Sequence, residues 1–156
     1  MATFRANATW RGGIENELDD GRGHSYLIDV TRNEGGRDKG TSGFELGLLS
    51  LAGCINAVFA LVAQRRKLVF ESMRTELEGE RPKKAPTYTA VHGVFRVETR
   101  APKEEVETAF ALTMRICPIG VLFDQAKIPV EVRAVIIPPG GSTATADASS
   151  GRPPTA

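Results

Sequence analysis

Leu46-Gly47-Leu48-Leu49-Ser50-Leu51-Ala52-Gly53-Cys54-Ile55-Asn56 opens an uncharged stretch that continues to Gln64 and meets Arg65-Arg66-Lys67. A run of this length without charge, closed by three cations that suit a helix C-terminus, reads as one long helix. Ser42 stands before it with Glu45 three residues on, the spacing of a reciprocal N-terminal cap. The helix is therefore expected over residues 42–67. Nineteen uncharged residues at a rise of ~1.5 Å nearly match the hydrocarbon core of a bilayer. However, Gly47, Ser50, Gly53, Cys54 and Asn56 interrupt the run, and no second span accompanies it. A buried central helix is the expectation, with no membrane partner. One sheet cannot cover a helix apolar on all sides, so the leftover face predicts an isologous homodimer.

Outward from this helix the pattern is strand-like. Residues 3–10 and 14–18 read as strands around Arg11-Gly12-Gly13, and Asp19-Asp20-Gly21-Arg22-Gly23 is a hairpin turn leading to a third strand over 24–30. Residues 31–40 are polar and glycine-rich, with no regular element expected. After the long helix come strands at 70–80 and 88–99, the latter supplying Val91, Val94, Phe95 and Val97. Pro102 then opens a helix in which Val106, Phe110 and Met114 recur at helical spacing. Cys117-Pro118 breaks it, a short helix follows over 119–127, and a β-branched strand over 130–137. Gly, Ser, Thr, Ala and Pro dominate from 138, giving an expected disordered tail over 138–156 after a single domain over 1–137. The order implies an α+β fold, with helices packed on an antiparallel sheet.

Composition narrows the function. The chain has 156 residues, 41% of them hydrophobic, 6% aromatic, and a net charge of +1. A broad basic face for a phosphate backbone is absent, as is an aromatic platform for bases, so no nucleic-acid partner is expected. The N-terminus shows no basic segment leading into an apolar one, and a cytoplasmic location is expected. There, a disulfide is more often transient and catalytic than structural. Cys54 and Cys117 are the only cysteines. They read either as two small buried apolar residues or as a redox pair brought together from two helices. His24 and His92 match no zinc spacing with them, and no metal or other cofactor is expected. His92 reads as a half-exposed sheet residue, and Asn56, polar on a buried helix, is expected to bond a backbone carbonyl.

Gly40-Thr41-Ser42-Gly43-Phe44-Glu45-Leu46 running on to Ala52-Gly53-Cys54, together with Ile116-Cys117-Pro118-Ile119, resembles the OsmC/Ohr family of thiol-dependent peroxidases. Trp10-Arg11-Gly12-Gly13, Asp29 and Gly35-Gly36 are similar to a general OsmC-like branch of it. The resemblance covers about residues 4–137. It implies an intertwined homodimer with pockets at the subunit interface, Cys54 as the peroxidatic thiol and Cys117 as the resolving one. It also implies organic hydroperoxides as substrates and a dithiol reductant, with no metal, haem or flavin. The chain departs from the family pattern in two places. No proline precedes Glu45, and neither Arg11 nor Arg22 aligns cleanly with the arginine that activates the thiolate.

A thiol of ordinary pKa near 8.5 is only a few per cent ionised at pH 7, so Cys54 needs a cation or donors close by. Arg22 or Arg11 from the N-terminal hairpin is a candidate, against the alternative that both are solvated turn residues. Glu45 lies nine positions before Cys54, on the opposite face and ~13 Å away along an ideal helix. It is therefore either a cap or a residue serving a partner's pocket. The candidate catalytic set is Cys54, Cys117, Glu45 and Arg22. The leading function is a peroxidase for alkyl or fatty-acyl hydroperoxides. A non-catalytic protein holding a lipid-like ligand in an apolar interface pocket is the alternative. A hot-dog thioesterase is a third reading, opposed by the second helical block ending in Cys-Pro.

Overall fold

The computed structural model describes residues 1–141, which form an α+β chain divided into two compact units, one over Met1–Ser50 and one beginning at Leu51. The expected tail over 138–156 falls mostly outside the described residues. Its first four residues form a turn, with the Gly141 amide bonded to the Pro138 carbonyl at 3.0 Å.

The first unit is a meander. β1 (Asn7–Gly12), β2 (Glu15–Asp19) and β3 (Ser25–Ile28) pair antiparallel in chain order. A bulge falls between Trp10 and Gly12, where the sequence carries Arg11-Gly12-Gly13. Residues 31–40, expected to be irregular, are in fact tightly organised. Asp29, only 3% exposed, accepts backbone N–H groups from Val30 (2.8 Å), Arg37 (2.9 Å) and Lys39 (3.3 Å). A short 3-10 turn over Arg32–Glu34 fits inside this loop. The loop folds so closely on itself that a Cβ at Gly36 would lie 2.0 Å from the Val30 carbonyl oxygen, and one at Gly40 would lie 2.2 Å from that of Leu27. The Val30 amide, more than those of Arg37 and Lys39, holds the Asp29 carboxyl below the usual range against the opposing effect of burial. A carboxylate thus replaces a regular element as the loop's organising group.

α1 (Gly43–Arg66) leads from the first unit into the second. It ends at Lys67, which takes φ 56°, with the Leu68 amide returning to the Ala63 carbonyl at 2.9 Å, a left-handed helix stop. By length and composition α1 is long and apolar enough to cross a bilayer, and 28% of its apolar 18-residue window is buried.

In the second unit β4 (Ser72–Glu80) pairs antiparallel with β5 (Ala90–Glu98) over nine residues, from Ser72 opposite Glu98 to Glu80 opposite Ala90. α2 (Lys103–Ile116) and α3 (Pro118–Gln125) follow, and β6 (Val130–Ile137) lies parallel to β5, with Val91 opposite Val130. The antiparallel expectation therefore holds for every pair except this one. The reason is connectivity: a strand that returns through a helical crossover re-enters its sheet in the same direction.

The core of this unit is a stripe of α1 set against β5 and α2. Leu51, Ile55, Phe59, Val62 and Ala63 recur at helical spacing and are buried. Phe59 packs with its ring tilted by 52° against Phe95, 4.6 Å centroid to centroid, and Phe95 stacks at 4.8 Å on Phe110. Aromatic contacts of this kind add roughly 0.5–1.5 kcal/mol each beyond area burial. Asn56 reaches Thr75 of β4, whose hydroxyl donates to its side-chain oxygen at 2.7 Å. A sheet hydroxyl, rather than the expected backbone carbonyl, satisfies it, because sheet packing brings a threonine within reach. The other face of α1 stays open: Leu61 is 56% exposed.

Candidate functional site

Cys117 owes its position to the end of α2. Its amide closes that helix on the Thr113 carbonyl at 2.9 Å, and its backbone then turns extended (φ −62°, ψ 114°). Pro118, lacking an N–H, suits the first turn of α3, and the two helices meet at 59°. At this corner Cys117 caps α3, its Sγ accepting the Gly120 amide at 3.4 Å. A Cβ on Gly120 would sit 3.6 Å from that sulfur, an ordinary van der Waals contact. Cys117 is fully buried. Buried Thr113 returns its own hydroxyl to the Ala109 carbonyl at 2.9 Å.

Cys54 comes to the same place from the middle of α1. It is partly exposed, and its side chain lies within interaction range of the Cys117 thiol; both cysteines are free. The Cys117 pKa is pushed up to about 11, first by burial and then by the hydrogen bond and charge of Cys54, against opposing amides at Gly120 and Ile119. The pair is therefore asymmetric. One thiol is reachable from solvent, and the other is dry and protonated at neutral pH.

The remaining candidates have other partners. Glu45 accepts the Ser42 amide and hydroxyl, each at 2.7 Å, and the Thr41 hydroxyl at 3.2 Å, while its own amide donates to the Ser42 hydroxyl at 3.2 Å. That is a complete reciprocal cap on α1. The Ser42 amide foremost, then the two hydroxyls, hold its carboxyl below the ordinary range. Arg22 lies in the β2–β3 turn with its Nε 2.9 Å from Asp20, which also binds His24 Nδ1 at 2.8 Å. Arg11 Nε donates to Glu17 at 3.0 Å across the β1–β2 pair. His92 is 47% exposed in its side chain, 3.6 Å from both Glu80 and Glu131. Among the described residues no three His, Cys, Asp or Glu side chains are grouped to hold a metal.

The family model for OsmC-like proteins matches residues 36–133, more than half of the chain and inclusive of both cysteines. This chain belongs to the OsmC-like family. No match was found among curated proteins. Among solved structures it is similar to an OsmC-like protein from Mycoplasma pneumoniae, with TM-score 0.79, 12% identity, and coverage of 87% of this chain and 98% of that one. It is also similar to an organic hydroperoxide resistance protein OsmC from Legionella pneumophila, with TM-score 0.66, 20% identity, and coverage of 88% and 98%. A third is the organic hydroperoxide resistance protein OhrB of Bacillus subtilis, with TM-score 0.60, 16% identity, and coverage of 86% and 98%. At these identities the likeness is one of fold.

Sequence reasoning about this OsmC-like protein singled out both sulfurs but missed what surrounds Cys117. Gly120 and Thr113 fix its sulfur and its backbone. Cys-Pro-x-Gly was a readable signal for a cap followed by a first-turn proline, although it reads equally as a plain helix break.

The cap on α1 makes a pH-dependent contribution. Because the Glu45 carboxyl is depressed, its stabilisation is complete above the ordinary value near 4.3 and is lost as pH falls through the lower folded value. Ser42→Ala should cost roughly 0.5–2 kcal/mol in urea unfolding near neutral pH. The gap from the parent protein should narrow as the pH is taken below the ordinary carboxylate range and Glu45 protonates.

Proposed function

We propose that this OsmC-like protein is a cysteine-based peroxidase that reduces organic hydroperoxides. The observation that carries the reading is the contact between a solvent-reachable Cys54 and a buried Cys117. The Cys54 thiolate attacks the distal peroxide oxygen and releases an alcohol, becoming a sulfenic acid. Cys117 displaces hydroxide from that sulfur to form the Cys54–Cys117 disulfide, and an external dithiol returns both to thiols by exchange. Exposed apolar side chains on either side of Cys117 in the chain, Ile116 and Val121, favour an alkyl or fatty-acyl peroxide over hydrogen peroxide. Each methylene buried there contributes ~0.8 kcal/mol.

A second copy of the chain covers the open face of α1. Ala57, Ala60, Leu61, Gln64, Leu68, Val69 and Phe70 line a groove of about 520 Å³, in which Leu61 and Val69 are largely exposed. Apolar surface of this kind is what a homodimer interface removes from water.

Two results test these readings. Cys54→Ser should abolish consumption of cumene hydroperoxide in the presence of dithiothreitol, while Cys117→Ser should accumulate a dimedone-reactive sulfenic acid at Cys54. Parent-rate turnover by Cys54→Ser would reverse the assignment. In sedimentation velocity the parent protein should run at roughly twice the 16.8 kDa chain mass, and Leu61→Glu should shift it toward the monomer. A monomeric parent protein would rule out the second copy.

A further inference from the structure

Peroxide reduction by two thiols needs a proton in its first step and a thiolate in its second. Attack on the distal oxygen expels an alkoxide, a strong base that must be protonated as it leaves. Capture of the sulfenic acid then requires Cys117 as a thiolate, yet at pH 7 roughly one in 10⁴ thiols with a pKa near 11 is ionised. Cys117 is also sealed from solvent, so bulk water is poorly placed to take its proton.

The surroundings of Cys117 answer both needs. Its thiol lies within interaction range of Cys54, where the peroxide reacts. A sulfur lone pair is occupied by the Gly120 amide at 3.4 Å, so the S–H is free to turn toward Cys54. Gly120 and Ile119 present their amides at the start of α3, an arrangement that stabilises negative charge on the sulfur once it forms.

We propose that Cys117 acts twice in each cycle, first as the proton donor to the alkoxide leaving at Cys54 and then, as the thiolate so created, as the nucleophile that closes the disulfide. The proposal rests on the peroxidase reading. The accounting is complete without a further reactant. Cys54 has lost its proton to solvent beforehand. Its sulfur forms an S–O bond as the O–O bond breaks, and the alkoxide takes the Cys117 proton to become the alcohol. The Cys117 thiolate attacks the sulfenic sulfur, an S–S bond replaces the S–O bond, and the departing hydroxide takes up the proton that Cys54 released. One peroxide is reduced to alcohol and water, and two thiols are oxidised. Proton transfer downhill from thiol to alkoxide thereby ties the arming of Cys117 to the event it must follow, and keeps it unreactive until Cys54 has been oxidised.

The test is the rate of the first step alone. Reduced full-length protein is mixed with excess cumene hydroperoxide at pH 7, and formation of the Cys54 sulfenic acid is followed by rapid mixing with a sulfenic-acid trap. Cys117→Ala should slow this step by about 10²-fold, the lower end of general-acid contributions. Cys117→Ser keeps an O–H donor of similar size and should regain most of the rate, although neither variant can form the disulfide. The parent protein should show a normal solvent deuterium isotope effect on this step that Cys117→Ala loses, a readout independent of how well the variants fold. Sulfenic acid formation at the parent rate in Cys117→Ala would overturn the proton-donor role and leave the peroxidase reading intact. No reaction in the parent protein would overturn both.

Discussion

The contact between Cys54 and Cys117 depends on one backbone event, the break between α2 and α3. Cys117 ends the first helix through its amide and caps the second through its sulfur, so one residue satisfies orphan groups of both. The bend this produces places a thiol at a buried corner, where a regular helix would offer only a side chain on one face. α1 supplies the other sulfur. Its register there is fixed by Leu51, Ile55 and Phe59 in the core and by the Asn56–Thr75 hydrogen bond two residues beyond Cys54. Packing on one side of α1 and capping at the α2–α3 corner therefore set the geometry on which the proposed chemistry rests.

The two thiols are distinguished by access as well as by position. A reactive thiol has to meet its substrate, and Cys54 is the one left partly open. In the proposed cycle the resolving thiol must avoid the substrate, which suits Cys117, fully buried and with its pKa raised by that burial. Donors at the start of α3 lower the cost of the thiolate without making it the resting state. The same corner thus protects the group in one state and accommodates it in the next.

Much of this was legible in the sequence because local signals agreed with the tertiary outcome. Ser42 and Glu45 carried the cap, Pro102 the start of α2, and the β-branched run Val130–Ile137 the last strand. Cys54 and Cys117 stood out because each sits in a distinctive local context and no other cysteine competes with them. What was not legible depended on contacts between distant residues. The parallel direction of β6 follows from a crossover that no local pattern encodes. The loop around Asp29 is organised by backbone amides up to ten positions away, and its composition alone pointed to no regular element. The partner of Asn56 required the placement of β4 against α1. The likeness to the OsmC-like structures, at 12% and 20% identity, is one of fold.

The central claim is that the two sulfurs meet and react as a pair. Reduced protein treated with one equivalent of cumene hydroperoxide and measured by intact and peptide mass spectrometry tests it most directly. The account predicts loss of two hydrogen masses and a peptide pair joined through Cys54 and Cys117. Two unmodified thiols after minutes of exposure, or a Cys54 oxidised with Cys117 still free, would contradict it.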